Sequence, residues 1–263
     1  MVAELTAEAF VKALRTGRTC PCLLFCSHPD GGGDVEAVIK LRSGPEASCA
    51  SLIRELMASL LARDLDLPVP EPYLVRVDPG FHEAVPDGEL AGRFQRSVGL
   101  NFGCRHLGPA YVSWPKGRSI PASLTQEAAE ILAFDLMVQN PDRRKNKPNL
   151  LRKDEELAIF DHEMAFSFLY DLEPDQHPWD GKGMQFAVDH VFYDALKGKA
   201  ISWTRMQGAL AAIGAARIHA YGDAVPTEWK RNSPGTVVRI QDYLGQARDN
   251  SDQMFRKITE VLV

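Results

Sequence analysis

NPDRRKNKPNLL, residues 140–151, follows a helical pattern and precedes a strand-like run that ends in Asp161. This positively charged loop also contains Asp142 and Asn149, and it continues into two leucines. An Asp in a loop is usually a turn residue. Carboxylate and amide oxygens at neighbouring strand ends are, however, the ligands that Mg²⁺ takes. The segment therefore predicts a divalent-cation site, provided that the rest of the chain supplies matching partners.

The composition of the chain is that of an ordinary globular protein. Its 263 residues are 45% apolar and 25% charged, without a repeat or a low-complexity segment. The formal net charge of -5 argues against a chain built mainly to hold nucleic acid, because phosphates are bound by clustered Lys and Arg. The sequence contains no run of about 18 apolar residues, so we expect no membrane span. We therefore expect neither nucleic acid nor a membrane as a partner.

The cysteines and the N-terminus predict a cytoplasmic protein. Cys20, Cys22 and Cys26 lie close together, but no second ligand pair follows at a zinc-binding spacing. Reduced thiols are the simpler interpretation, and they are typical of the cytoplasm. The N-terminus also lacks the basic segment and apolar core of a signal peptide.

The first forty residues predict a helix and then a β-hairpin. Residues 1–17 have the pattern of an amphipathic helix capped by Thr6. Residues 21–41, PCLLFCSHPDGGGDVEAVIKL, read as two strands around a long turn, with Lys40 near the end of the second strand. The turn contains three glycines whose backbone N–H groups could surround an anion or serve only a loose turn, namely Gly31, Gly32 and Gly33.

A helix follows the hairpin. Apolar residues repeat at helical spacing from Ser51 to Asp66, and Glu55 lies beside this apolar stripe. Residues 79–108 are rich in glycine and charge, so we expect loops there with at most a short helix.

A short strand marks the predicted boundary between two lobes. It lies around Tyr111 to Trp114 and is closed by Pro115 and a glycine. Helical patterns dominate beyond it. We therefore expect an N-terminal nucleotide-binding lobe at residues 1–115 and a mainly helical catalytic lobe at residues 116–263.

The first helix of the second lobe is predicted at residues 123–140. Ser123 and Gln126 have the spacing of a capping box. Asp135 lies on the apolar face of this helix, so it needs a partner such as Arg143.

Two short strands are predicted after the quoted loop, at residues 149–152 and 157–160, and Asp161 follows the second strand. The remaining chain is mostly amphipathic helix, with residues 224–231 as a loop between two helices.

These residues include every part that phosphoryl transfer from a nucleotide requires. The reaction needs donors around the phosphates, a cation on them, ligands for Mg²⁺ and a carboxylate that orients the attacking hydroxyl. The candidates occur in this order along the chain: Gly31 to Gly33, Lys40, Glu55 as the partner of Lys40, Asp142 as the base, and Asn149 with Asp161 as metal ligands. Each is weak evidence alone, but their order favours the joint interpretation.

The sequence resembles the HipA-like kinases, which are related to the phosphatidylinositol-kinase-like branch of the protein kinase fold. NPDRRKNKPNLL followed by AIFDHEMAF is similar to the catalytic and metal-binding segments of that family. EAVIKL, LIRELMASLLARDLDLPVPEPYLV, HVFYDAL and PTEW extend the resemblance over most of the chain.

The resemblance implies an α+β, bilobed protein-kinase-like fold in a bacterial cytoplasmic protein that uses ATP and Mg²⁺. It implies an N-terminal lobe made of an antiparallel β-sheet with one helix, and a mainly helical C-terminal lobe. It also implies roles for five residues: Lys40 contacts phosphate, Glu55 pairs with Lys40, Asp142 is the base, and Asn149 and Asp161 bind metal.

One spacing departs from the related kinases. Their metal-binding Asn usually follows the catalytic Asp by five residues, whereas Asn146 follows Asp142 by four and Asn149 by seven. Asn149 is preferred because it immediately precedes the two leucines. The two additional residues would form a bulge that contains Pro148.

The leading functional hypothesis is an ATP-dependent kinase that transfers phosphate to Ser or Thr of a protein. The alternatives are a lipid or small-molecule kinase, a nucleotide-binding regulator without catalysis, and a toxin-type module held in check by a partner. A metal hydrolase built from His162, His177, His190 and nearby acidic residues is the least favoured, because these histidines lack the spacing of a zinc helix motif.

Overall fold

The computed structural model of this protein describes residues 2–14, 19–29, 31–44, 48–171 and 177–263. The strands are β1 (Ala3–Ala13), β2 (Cys22–Ser27), β3 (Asp34–Lys40), β4 (Pro72–Val77), β5 (Gly99–Arg105), β6 (Val112–Ser113), β7 (Leu150–Lys153) and β8 (Glu156–Ile159). The α-helices are α1 (Cys49–Asp64), α2 (Gly88–Arg96), α3 (Thr125–Met137), α4 (Tyr193–Leu196), α5 (Thr204–Ala212), α6 (Ala215–Asp223), α7 (Thr227–Asn232), α8 (Thr236–Asp249) and α9 (Ser251–Val261). Short 3₁₀ helices occupy Phe81–Ala84, Ala122–Leu124, Ser167–Tyr170, Pro178–Asp180 and Lys182–Asp189.

Five strands close into a barrel in the order β1-β2-β3-β5-β4. Neighbouring strands are antiparallel, except that β1 runs parallel to β4 and pairs Ala3 with Tyr73. The N-terminal sheet is therefore mixed, which corrects the prediction of an antiparallel sheet. Because β1 bonds to strands on both sides, the barrel closes between β1 and β4.

The N-terminal segment is a strand, so the predicted helix capped by Thr6 is wrong. Leu5 and Ala7 are buried in the barrel with the two-residue alternation of a strand. Thr6 pairs with Ser27 of β2 and with Arg76 of β4. Ala, Glu and Leu favour helices in isolation, but hydrogen bonds to two neighbouring strands and the burial of Leu5 outweigh this preference.

The barrel interior is an apolar core of its own, and α2 contributes to it. Phe94 of α2 is fully buried among the barrel side chains. Asp87 is the N-cap of this helix, and its side chain accepts a hydrogen bond from the backbone N of Leu90 at 2.8 Å. The resemblance implied one helix in the N-terminal lobe, whereas α1 and α2 are both present; α2 lies where the sequence analysis allowed a short helix, at residues 79–108. Strand β5 likewise lies in the stretch that was predicted to form loops.

Helix α1 lies between the barrel and the C-terminal helices. It contacts β4 and β5 as well as α6, α7 and α8. It begins two residues before the predicted Ser51, which forms a reciprocal capping box with Ser48. Because α1 is buried along most of its length, its polar side chains need partners within the protein.

The C-terminal part contains a second apolar core built mainly from helices. Helix α3 begins at Thr125 after a 3₁₀ turn, and no side chain caps it, so the predicted capping by Ser123 is wrong. Helix α7 occupies most of the segment that was predicted to be a loop, residues 224–231, and ends one residue beyond it. It buries Trp229, whose Nε1 donates to the carbonyl of Leu100 at 3.0 Å and thereby joins α7 to β5.

The hairpin after the quoted loop is confirmed. Strands β7 and β8 are antiparallel, with Leu150 opposite Ile159, and β6 adds a short third strand to them. The predicted strand near Tyr111 to Trp114 is this β6. None of the helices in the ranges given above has both the length and the hydropathy that crossing a membrane requires.

Candidate active site

Lys40 and Glu55 form a buried ion pair. Lys40 is the last residue of β3, Glu55 lies on α1, and Nζ of Lys40 is 2.7 Å from Oε2 of Glu55. The same ammonium group contacts Oδ1 of Asp161 and lies 3.2 Å from Oε2 of Glu163. Burial alone would lower the pKa of Lys40, but the carboxylates of Asp161, Glu55 and Glu163 raise it well above its ordinary value. Lys40 is therefore held as a cation where the barrel meets the C-terminal part.

Asp161 lies two residues beyond β8 and carries the contacts between Lys40 and the quoted loop. Its Oδ2 is 3.5 Å from Nζ of Lys147. Burial would raise the pKa of Asp161, but Lys40 and Lys147 hold it at about 2. Its φ of 63° lies in the left-handed region, which Asp and Asn adopt more readily than other residues with a side chain. Asp161 therefore stays ionised between two cations.

Asp142 lies in the quoted loop, nearly buried, with both carboxylate oxygens occupied. Oδ1 is 2.9 Å from Arg144, and Oδ2 is 2.5 Å from Nζ of Lys147. Oδ2 also accepts a hydrogen bond from Nδ2 of Asn149 at 3.1 Å. A chain of direct contacts therefore runs from Glu55 through Lys40, Asp161 and Lys147 to Asp142 and Asn149.

Arg143 anchors the quoted loop to α3 through a buried ion pair. Its Nε is 2.5 Å from Oδ2 of Asp135, and both side chains are fully buried, so the predicted pairing of these residues is confirmed. Burial would raise the pKa of Asp135, but Arg143 and His190 lower it to about 2. Arg143 also donates to Nδ1 of His162 at 3.3 Å and to the carbonyls of Asn149 and Phe160. One guanidinium group therefore ties α3 to both strands of the hairpin.

His190 is buried beside this pair, and it predicts a pH dependence of stability. Its Nε2–H donates to Oδ2 of Asp135 at 3.1 Å, and its Nδ1 accepts from the backbone N of Phe192 at 3.2 Å. Burial lowers the pKa of His190 below its ordinary value, and Asp135 opposes this only in part. At a pH between the pKa values of His190 in the folded and in the unfolded protein, the unfolded protein binds one proton that the folded protein does not. The free energy of unfolding should therefore fall as the pH drops below about 6.5.

The matching experiment compares urea unfolding of the wild type and His190→Gln from pH 7 to pH 5. The variant should lose less stability, by up to about 1.4 kcal/mol per pH unit at the steepest point. His219→Gln, at an exposed histidine, is the control and should keep the wild-type slope. Equal slopes for the wild type and His190→Gln would contradict the prediction.

The oxygen ligands of the site fit a hard divalent cation. Within the part of the chain that the structure describes, Glu55, Asp161 and Glu163 place ligand oxygens within 4.8 Å of one another. Asn149 adds an amide oxygen beside Asp142, and its Nδ2 is already used toward that carboxylate. Carboxylate and amide oxygens are the ligands that Mg²⁺ takes, so Asp161 and Asn149 fit this metal, whereas Glu55 and Glu163 are engaged by Lys40.

The histidines do not form a metal site among the residues that the structure describes. No histidine belongs to the ligand group found there. His162 and His190 are instead buried against Arg143 and Asp135. The hydrolase alternative therefore has no site in the described ranges.

The structure does not bring the three glycines of the hairpin turn to Lys40. Gly31 and Gly33 precede β3, whereas Lys40 ends it, and a strand of this length spans roughly 20 Å. The register puts Ile39 opposite Cys22, and Cys22 opposite Ala13 of β1. The end of the barrel that carries Lys40 is therefore the end at which β1 passes into β2.

Three side chains at the site were not assigned a role in the reaction from the sequence. Lys147 contacts both Asp142 and Asp161, and Glu163 contacts Lys40. Arg54 precedes Glu55 on α1, donates from Nε to the carbonyl of Glu163 at 2.7 Å, and lies over the ring of Tyr170. The sequence signal for Lys147 was its position in the quoted loop, and that for Glu163 was its position in the AIFDHEMAF segment, two residues after Asp161. No sequence pattern indicated that Arg54 lies at the site.

Comparison with solved structures indicates a kinase-like fold. The crystal structure of the Helicobacter pylori proinflammatory kinase CtkA is similar, with a TM-score of 0.57 and 14% identity over 100% of both chains. The MAP kinase LmaMPK10 from Leishmania major is also matched, over 98% of this chain and 84% of that chain at 10% identity, but its TM-score of 0.28 is too low to bear on the fold. No curated protein matches the sequence.

The chain belongs to the HipA-like kinase family, because a family model described as HipA-like kinase matches residues 11–257. The resemblance seen in the sequence is thereby confirmed. Family and fold together support a kinase, and hence a transferase.

Proposed function

We propose that this protein is an ATP- and Mg²⁺-dependent kinase that phosphorylates Ser or Thr of a protein in the cytoplasm. The observation that carries the proposal is the chain of contacts from Glu55 through Lys40 and Asp161 to Lys147 and Asp142. Its direct contact between Lys40 and Asp161 joins residues that are 121 positions apart in the sequence. Such a concentration of paired charges at the junction of two cores is typical of a functional site.

The proposed architecture is bilobed. Residues 1–115 form a nucleotide-binding lobe and residues 116–263 a catalytic lobe, with ATP in the cleft between them. Lys40 and Asp161 belong to different lobes in this division, so their contact would lie at the floor of the cleft. We assign the phosphates to the barrel end that carries Lys40. The hairpin glycines at the opposite end of β3 are not part of this site.

In the proposed reaction, Lys40 contacts the α- and β-phosphates and Glu55 keeps its side chain in place. Asn149 and Asp161 would hold Mg²⁺, which when bound neutralises charge on the β- and γ-phosphates. Asp142 orients the acceptor hydroxyl and takes its proton. The hydroxyl oxygen bonds to the γ-phosphorus while the bond to the bridging oxygen of ADP breaks, so the products are a phosphorylated hydroxyl group and ADP.

The proposal is tested by adding ATP labelled in the γ-phosphate, with and without Mg²⁺, to the wild type and Asp161→Asn. Nucleotide binding is measured in parallel by thermal shift. Asp161→Asn removes one charge without a change of size, and Asn tolerates the left-handed φ, so the fold should persist. We expect Mg²⁺-dependent transfer by the wild type and a loss of about 100-fold or more in the variant.

The acceptor is identified by offering casein, the protein itself and lipid vesicles as separate substrates, followed by phosphoamino-acid analysis. Phosphoserine or phosphothreonine supports the protein kinase. Labelled lipid would favour the lipid-kinase alternative instead. ATP binding without transfer to any acceptor would favour the non-catalytic regulator, and absence of ATP binding would contradict the proposal.

A further inference from the structure

Lys147 lies between the two carboxylates that the proposed reaction uses for different purposes. Its Nζ is 2.5 Å from Oδ2 of Asp142 and 3.5 Å from Oδ2 of Asp161. The backbone fixes the origin of this side chain, because Arg144 and Lys147 exchange two hydrogen bonds of 2.9 and 3.0 Å. This closed turn of four residues therefore holds the backbone of Lys147 in a position from which its ammonium group reaches the site.

Both oxygens of Asp161 face ammonium groups. Oδ1 contacts Lys40, and Oδ2 faces Lys147. A divalent cation on Asp161 would lie within a few ångströms of both, and like charges at that separation repel strongly. A cation can therefore bind Asp161 only if one of the two lysines withdraws.

The contacts decide which lysine withdraws. Lys40 is buried and is also held by Glu55 at 2.7 Å and by Glu163 at 3.2 Å. The Lys147 side chain is 42% exposed, and its contact with Asp161 is the longer one. The contacts of Lys147 with Asp161 and with Asp142 both involve a half-exposed ammonium group, whereas moving Lys40 would break a buried pair. Lys147 is therefore the side chain that yields.

We infer that Lys147 acts as a tethered cation that competes with the divalent metal for Asp161, an inference that rests on the proposed function for the metal site itself. In the nucleotide-free protein its ammonium group keeps the metal affinity of Asp161 low. When a nucleotide enters, its phosphates offer Lys147 another anionic partner, and Asp161 becomes available to the metal. Metal and nucleotide therefore strengthen the binding of each other.

In the alternative interpretation, Lys147 and Asp161 form an ordinary surface ion pair, which contributes little to stability and has no effect on metal binding. The two interpretations differ without any measurement of catalysis. Competition predicts that removing the charge of Lys147 strengthens metal binding, whereas an ordinary ion pair predicts no change.

The experiment measures Mn²⁺ binding to nucleotide-free protein by the electron paramagnetic resonance signal of free Mn²⁺. Lys147→Gln should bind Mn²⁺ about tenfold more tightly than the wild type, since one charge near the ion is removed. Lys147→Arg keeps the charge and should stay within about twofold of the wild type. Lys153→Gln is the matched control, because Lys153 has a similar exposure of 41% and pairs with Glu156 across the turn between β7 and β8.

A double variant, Lys147→Gln with Asp161→Asn, checks the location of the site. It should lose the affinity gained by Lys147→Gln. Unchanged, weaker or undetectable Mn²⁺ binding by Lys147→Gln would overturn the inference, as would a gain that survives Asp161→Asn. None of these readouts depends on phosphate transfer, so the proposed kinase activity can fail while the competition stands, and the reverse also holds.

Discussion

Asp142→Asn should abolish most of the transfer of phosphate from ATP while the protein stays folded and still binds the nucleotide. Asn has nearly the same size as Asp but cannot take the proton of an acceptor hydroxyl. A positioned general base contributes about 10² to 10⁴ in rate, so we expect the turnover number to fall about 10³-fold. The measurement is steady-state transfer at saturating ATP and Mg²⁺, beside ATP binding by thermal shift.

Asp154→Asn is the control for this prediction. Asp154 is exposed in the turn between β7 and β8, and its φ of 52° is one that Asn also adopts. It should transfer phosphate at the wild-type rate. A turnover number for Asp142→Asn within about threefold of the wild type would show that Asp142 is not the general base that this prediction requires.

Asp135→Asn should give the largest loss of stability among single substitutions in this part of the protein. The substitution keeps the shape of the side chain but leaves the buried guanidinium of Arg143 without its counter-charge. Removing one partner of a buried ion pair costs about 3–5 kcal/mol in the free energy of unfolding. Because Arg143 also holds the carbonyls of Asn149 and Phe160, the loop that carries Asp142 should loosen as well.

The control for this loss is Asp64→Asn. Asp64 and Arg217 form a pair with the same 2.5 Å contact between Nε and Oδ2, but Arg217 is 47% exposed. This substitution should cost about 1 kcal/mol or less, because water screens the pair. Urea unfolding at pH 7 measures both variants. Similar losses for the two would mean that burial does not set the strength of the Asp135–Arg143 pair.

The part of the site that the sequence predicted well consists of residues whose chemistry demands a partner. Asp135 on an apolar helical face needed a cation, and Arg143 supplies it. Lys40 and Glu55 were paired because phosphoryl transfer needs a cation held on the phosphates and because the resemblance to the HipA-like kinases implies this pair, and the two side chains are in contact. The hairpin of β7 and β8 followed from its alternation and its charged turn, and it brings Asn149 and Asp161 to neighbouring strand ends.

The errors arose where tertiary contacts outweigh local preference. Residues 3–13 have helix-forming side chains, yet pairing with distant β4 makes them a strand, and no local pattern shows that pairing. The glycine-rich turn has the composition of an anion site, but the strand register puts it at the far end of β3 from Lys40. Composition identifies a turn and does not say which end of a barrel the turn occupies.

Lys147 and Arg54 could not be assigned from the sequence for a related reason. A lysine in a charged loop is usually solvated, and only the fold shows that its ammonium group reaches two carboxylates. Arg54 points from a buried helix to a backbone carbonyl 109 positions away, and such a contact leaves no residue pattern.

The parallel pairing of β1 with β4 also constrains the order in which the chain can fold. Ala3 meets Tyr73, so this seam of the barrel requires the chain to return across some seventy residues, and closing so long a loop is entropically slow. The hairpin of β2 and β3 can form early, whereas β1 gains its second neighbour only after β4 has emerged from the ribosome. Until then β1 exposes an unpaired edge, and such an edge is the surface through which partly folded chains aggregate.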